Sequence, residues 1–428
     1  MSQQALIKSE RKMASMIIAG VVAMGFLGIV PAVLTVAASP TPVPTAVPFA
    51  YVLGGTHGSH GGPHGGGGGG STCTTTLPSA NGVSYTPSQI KNAYSYSSAN
   101  GAGETIAIID AYGSPTLSSD LACFDTAFGL PTPSLKITEP WGAAKQKNSG
   151  WGLETSLDVE WAHAMAPAAN ILLIVTPSAS FTYLVNDAVP YATSNGAKVI
   201  SMSWGSAESS VGCSTESTES TYFANAVSAG AIPVGASGDN GANDGTGHPT
   251  VDYPSADPNV VGAGGTSLTL TGSGAYSGET VWNDASGATG GGVSTCFSEP
   301  TYQSSHNILV TTSSGSSTPT GRAVPDVSYN ADPATGFWVY DTTGYSGWVQ
   351  VGGTSAAAPQ WSAILADALS AGDGINGGNI HGLLYGLIGT SSVHDITSGN
   401  NGYYYASQGY DACTGVGSPV ESSVVTSL

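Results

Sequence analysis

Positive charge is what this chain has least of. Nine lysines and arginines stand against 28 aspartates and glutamates in 428 residues, a formal net charge of −19. That balance excludes nucleic acid as a partner, because phosphates would be repelled. Charge of either sign is scarce, at 9% of residues. A surface covered by Ser, Thr, Asn, Gly and Tyr leaves few carboxylates to change state as pH falls, which suits acid. The same bias also describes a plain surface-exposed protein. Cysteine is sparse too: Cys73, Cys123, Cys213, Cys296 and Cys413 include no CxxC pair. This excludes the common zinc and dithiol motifs. Five is odd, so an exported chain would carry one or two disulfides and a spare thiol, with Cys73–Cys123 and Cys213–Cys296 as candidate pairs.

The apolar content, 40% of residues, is enough for a sizeable core, but it is unevenly placed. Lys8, Arg11 and Lys12 precede an uncharged apolar run from Ala14 to Ala38. Residues 1–38 therefore read as an export signal or a retained membrane anchor, with 14–38 as the tether. In either case the basic end stays inside and the rest is extracellular, secreted or held on the outer face of the membrane. Residues 39–71 are rich in Pro and Thr, then Gly and His, and read as a linker. His57, His60 and His64 lie in this low-complexity stretch and are taken as incidental.

From residue 72 to 428 short β-branched runs alternate with helical stretches. Examples are Thr105–Asp110, Glu154–Ala166, Asn170–Val175 and Ser355–Ala371. This order predicts an α/β fold, a parallel sheet flanked by helices in a single large domain. Residues 266–350, with Gly-rich turns, read as insertions or loops over the sheet edge.

Three stretches carry chemistry. In Gly352-Gly353-Thr354-Ser355-Ala356-Ala357-Ala358-Pro359 small residues surround one serine ahead of an apolar helix. This spacing puts a nucleophile at a helix N-terminus. A serine needs a base, yet no histidine segment comes after the first strand, Ile106–Asp110. In its place stands Leu153-Glu154-Thr155-Ser156-Leu157-Asp158, with two carboxylates on one helical face and no Lys or Arg partner at the next turn. The third stretch, Pro233–Gly241, is a buried strand ending in a turn that presents Asp239. His163 is turned away from the carboxylate face and reads as structural. Asp326 also reads as structural, while Asp110 closes the first strand.

Taken in order, Glu154, Asp158, Asp239 and Ser355 resemble the sedolisin family of serine-carboxyl peptidases, in the subtilisin-like clan. The likeness extends over nearly all of 72–428, through LDVEWAHAMAP, ISMSWGSAE, VGASGDNGA, PDVSYNADPATGF, GGTSAAAP and GYDACTGVGSP. The resemblance implies a subtilisin-like fold and acid-active hydrolysis of peptide bonds in polypeptide substrates. It implies that Ser355 attacks, that Glu154 takes its proton, and that Asp158 holds Glu154 through a carboxyl–carboxylate hydrogen bond. Protonated Asp239 would donate to the oxyanion. Ser203, Trp204 and Gly205 would offer an edge to substrate backbone. One structural Ca²⁺ would be held by Asp395, Asp411 and the carbonyls of Ile396, Ser407 and Gly409, all hard oxygen donors. The family's usual large propeptide has no counterpart in the leading residues, and we expect a monomer. The alternatives are a histidine-dependent subtilisin, a catalytically inactive peptide-binding surface protein on the same scaffold, and an adhesive surface protein.

Overall fold

Alternate side chains of one strand reach two different cores, which makes the architecture layered. Ile106 and Ile108 of β1 (Thr105–Ala111) pack with one buried cluster, Ala107 and Ile109 with another. A strand covered on both faces is what a parallel sheet between helices requires. The structure is a computed structural model, and it describes residues 43–53, 73–80, 82–145, 147–372 and 374–428. The apolar run 14–38 and His57, His60 and His64 lie outside them. Among the described residues no helix is long and apolar enough to cross a membrane.

The central sheet adds β2 (Ser134–Thr138), β3 (Asn170–Thr176), β4 (Val199–Met202), β5 (Ile232–Ala236), β6 (Val261–Leu270), β7 (Tyr276–Val281) and β8 (Val327–Asn330). Its order is β7-β6-β5-β4-β1-β3-β2, with β8 also on β6. Every pairing is parallel except β6–β7. Val43–Leu428 forms one unit, so the expected α/β class and single large domain hold.

Two helices lie on the Ile106/Ile108 face, α1 (Ser149–Met165) and α2 (Thr354–Ser370), and they pack on each other. Nearly every residue of both is buried, including Glu154, Asp158 and Ser355. A helix buried all round has no solvent face on which polar residues are routine, so each acid on α1 needs a specific explanation. Asn148 caps α1, accepting from the backbone N of Trp151 at 3.1 Å.

Two expectations are corrected. Val327–Asn330 is not a loop but a strand of the sheet, paired parallel to β6 alone, although Val-Ser-Tyr-Asn has no apolar run to announce it. The linker assigned to 39–71 does not hold for residues 43–53, which are built into the folded body. Ala46 and Phe49 are buried there and Ala50 and Val52 pack against the core, while Val43 and Val47 stay exposed. The disulfides Cys73–Cys123 and Cys213–Cys296 are both formed, and Cys413 is a buried free thiol.

Candidate active site

Ser355 is the second residue of α2. The turn before it is made by Gly353, whose φ of +107° belongs to the region that favours glycine. Pro359, four residues on, has no N–H to give to the Ser355 carbonyl. That carbonyl accepts instead from the Ser203 hydroxyl at 3.2 Å. The same hydroxyl lies 2.8 Å from Oδ1 of Asp158. The one hydroxyl hydrogen is shared between these two acceptors, the shorter contact being to Asp158. Burial, with Asp110 and Glu154 nearby, pushes the Asp158 carboxyl well up, while the Ser203 hydroxyl pulls the other way.

Glu154 lies one turn earlier on α1, fully buried. Its carboxyl is pushed well up, first by burial and then by Asp110, while the Ser355 hydroxyl and the backbone N–H of Ala50 pull the other way. Ala50 N donates to Oε2 at 2.8 Å. The expected direct hydrogen bond between Glu154 and Asp158 is not formed. Glu154 is engaged by Ala50 and Asp158 by Ser203, leaving Glu154 Oε1 and Asp158 Oδ2 without ordinary partners. The two acids are coupled by charge alone.

Asp239 ends β5. Its Oδ1 accepts from the backbone N and the hydroxyl of Thr354, each at 2.7 Å, so the carboxyl caps α2. Oδ2 is buried and has no partner. Burial raises the group to about 8, so at neutral pH it carries a proton. With Oδ1 accepting twice, the proton belongs on Oδ2. Asp110, at the end of β1, was expected to stand apart from the nucleophile. It is raised to about 7, chiefly by burial, and acts on both Glu154 and Asp158 as a third acid behind the pair.

The edge Ser203-Trp204-Gly205 is covered by the chain itself. Val47 pairs with Gly205 and Pro48 with Trp204, antiparallel. Phe49 N donates to the Ser203 carbonyl at 3.3 Å. The Phe49 ring is 3% exposed, and a Cβ added to Gly205 would lie 2.9 Å from its tip. Sequence reasoning missed this segment. The signal available was Ala46-Val47-Pro48-Phe49-Ala50-Tyr51-Val52-Leu53, an unbroken apolar tract inside a polar, Gly-rich stretch.

The other assigned residues separate cleanly. His163 meets the Pro131 carbonyl at 2.8 Å and Asp125 at 3.4 Å, and Asp326 is paired with Arg322 at 2.5 Å. Asp395 is joined to Gly409, and Asp411 to Ser407: Gly409 N donates to Asp395 at 3.0 Å, and Ser407 N to Asp411 at 3.3 Å. Ile396 follows Asp395 directly. The donors available, two carboxylates and backbone carbonyls, are all oxygens and fit a hard cation.

The sheet, the two buried helices and the serine at a helix N-terminus define a class, and the family comparison gives the same one: residues 142–400 match the subtilase family. The chain is 36% identical to kumamolisin of Bacillus sp. (strain MN-32) over 369 residues, 82% of this chain and 64% of that protein. It is 34% identical to sedolisin of Pseudomonas sp. (strain 101) over 370 residues, 80% of this chain and 61% of that protein. It thus spans under two thirds of the length of these relatives. The solved structure of Pseudomonas sedolisin complexed with two molecules of pseudo-iodotyrostatin superposes with a TM-score of 0.72 and 32% identity, covering 81% of this chain and 98% of that one. Within the subtilase class, the chain belongs to the sedolisin family.

Proposed function

We propose that the chain is an extracellular, acid-active serine-carboxyl peptidase that hydrolyses peptide bonds in proteins. The observation that supports this most is that Glu154 of α1 is engaged by the Ser355 hydroxyl and by the backbone N–H of Ala50, while Asp239 caps the helix α2 that carries Ser355. Ser355 attacks the carbonyl carbon, and Glu154 takes the hydroxyl proton and later passes it to the leaving nitrogen. Oδ2 of protonated Asp239 donates to the oxygen as it becomes an anion. Asp158 positions the nucleophile through Ser203 and keeps negative charge low beside Glu154. Ser203, Trp204 and Gly205 pair with substrate backbone.

The pH preference comes from the donors. Glu154 must be ionised to act as base, and Asp239 must be protonated to donate. Activity therefore falls at low pH as Glu154 gains a proton, and at high pH as Asp239 loses one. An extracellular setting is supported by two disulfides in a chain this size. Asp395, Asp411 and the carbonyls of Ile396, Ser407 and Gly409 would hold one Ca²⁺, fixing the C-terminal turn without entering the reaction. The test is hydrolysis of an unfolded protein by the full chain across pH 2–8, beside Ser355→Ala. Acid activity lost in the variant supports the reading; activity that survives Ser355→Ala rejects it.

A further inference from the structure

We propose that Thr354 positions the oxyanion donor: its hydroxyl fixes Oδ1 of Asp239 as an acceptor and so holds the carboxyl proton on Oδ2, the oxygen that faces the substrate carbonyl. The inference rests on the peptidase reading and adds to it the residue that decides which oxygen of Asp239 can donate.

The residue before the nucleophile is held from two sides. Thr354 opens α2 and is fully buried. Gly353, at the cap position, has no side chain to offer, so the cap comes from Asp239 on another element. The Thr354 methyl lies against β6, where a Cβ on Gly265 would come within 3.3 Å of it. A β-branched side chain is stiff about its first torsion. With the methyl seated on β6, the hydroxyl is turned to the end of β5, where it meets both Gly238 and Asp239.

Counting hydrogens then decides where the protons sit. Gly238 N donates to the Thr354 hydroxyl oxygen at 3.1 Å, so the one hydroxyl hydrogen goes to Asp239 Oδ1, 2.7 Å away. Thr354 N donates to the same Oδ1 at 2.7 Å. Were the carboxyl proton on Oδ1 and given to the hydroxyl, the hydroxyl hydrogen would lose its acceptor in a buried site, and Oδ2 would have nothing to donate. Oδ2 has no other partner, and it borders a peptide oxygen. A Cβ on Gly353 would lie 1.9 Å from the Phe49 carbonyl oxygen and 2.6 Å from Asp239 Oδ2. With the backbone N–H as its single donor, Oδ1 would compete with Oδ2 for the proton.

The same hydroxyl acts on the alkaline end of the activity. Two donors on Oδ1 favour the ionised carboxylate and hold Asp239 below the value that burial alone would give. The other titratable groups that face it are Asp244, Asp252, Glu154 of α1 and Tyr51, none of them basic. Loss of the hydroxyl therefore combines two effects that a general disturbance would not. The reaction slows because the donor is misplaced, while Asp239 keeps its proton to a higher pH.

The test measures kcat, KM and the pH profile of the full chain on an unfolded protein substrate. Wild type is set beside Thr354→Val, Thr354→Ala and Thr354→Ser, each also combined with Asp239→Asn, with melting temperatures recorded. Thr354→Val keeps the shape without the hydroxyl, and Thr354→Ala removes it with no new group, so the outcome does not hang on one variant folding. Both are expected to lower kcat about 10-fold with KM nearly unchanged, and to move the alkaline limb to higher pH. Thr354→Ser, which restores the hydroxyl, is expected to stay within about 3-fold of wild type. With Asp239→Asn the donor hydrogens are fixed on nitrogen and the backbone N–H still holds the amide oxygen, so losing the hydroxyl is expected to cost under about 2-fold. Equal losses with and without Asp239→Asn would overturn the proposal. So would an alkaline limb that stays in place or moves to lower pH, or a Thr354→Ser chain as slow as Thr354→Val. A folded wild-type chain without activity at any pH would overturn the peptidase reading and this inference together.

Discussion

Two buried aspartates in this molecule end in opposite circumstances. Asp326 is saturated: Oδ2 meets Arg322 at 2.5 Å and Gly262 N at 2.7 Å, and Oδ1 accepts from Tyr385 at 2.9 Å. Asp239 has one oxygen fixed by Thr354 and the other bare. Both are completely buried. A carboxyl enclosed by donors is part of the framework. One left with an unpaired oxygen in a dry site carries a burial penalty that packing does not explain, and it faces the backbone of a peptide.

Substitutions sharpen that contrast. The largest effect is expected at Glu154, on the same side of it as Asp239: Glu154→Gln should lower kcat by about 10²–10⁴-fold with little change in thermal stability. Asp239→Ala should lower kcat by about 10²–10³-fold. Asp239→Asn keeps a donor that cannot ionise, so it should recover activity relative to Asp239→Ala and remove the fall in rate expected of wild type as Asp239 ionises. Asp326→Asn should do the reverse. It leaves Arg322 buried and unpaired, a loss of roughly 3–5 kcal/mol by denaturant titration, with the pH profile of whatever folds unchanged. If Asp326→Asn shifted the pH profile, the division between framework and reacting acids would fail.

A smaller effect, spread over the molecule, tests the same division through pH. Burial raises Glu216 to about 9, Glu219 and Asp367 to about 8, and Asp110 and Asp125 to about 7. Their folded values lie above the unfolded ones, so between the two the folded state binds more protons. The stability they contribute is complete in acid, below about pH 4, and declines as pH rises toward 7–9. Melting temperature measured from pH 3 to 9 should fall across that window. The smallest effect is expected from chelation, a decrease of a few degrees in Tm from wild type and none from Asp411→Asn.

The reacting residues were legible because each sits in a locally distinctive string: a serine among small residues, two acids without basic partners, an Asp closing an apolar strand. The disulfide pairs were legible only as candidates. The segment 43–53 was not legible as part of the site, since its partners are more than a hundred residues away, as the contact from Ala50 to Glu154 shows. Its apolar tract signals burial without saying against what. The Glu154–Asp158 arrangement was half legible. Spacing puts both acids on one face of a helix, but Ser203 and Ala50, which divide them, arrive from other elements. The helix Cys213–Ser228 opens on turns of Ser, Thr and Glu, which favour caps and turns as readily as helix and so hide its start in the sequence.

The reacting groups are mounted on α1 and α2, two helices enclosed on every side and packed on each other. Backbone amides in such helices open to solvent only when the whole molecule unfolds. Deuterium would enter Val43–Leu53 long before it reached Ser149–Met165 or Thr354–Ser370. Heat inactivation and global melting should then be one event rather than two, and variation that preserves catalysis should be confined to the loops around this pair.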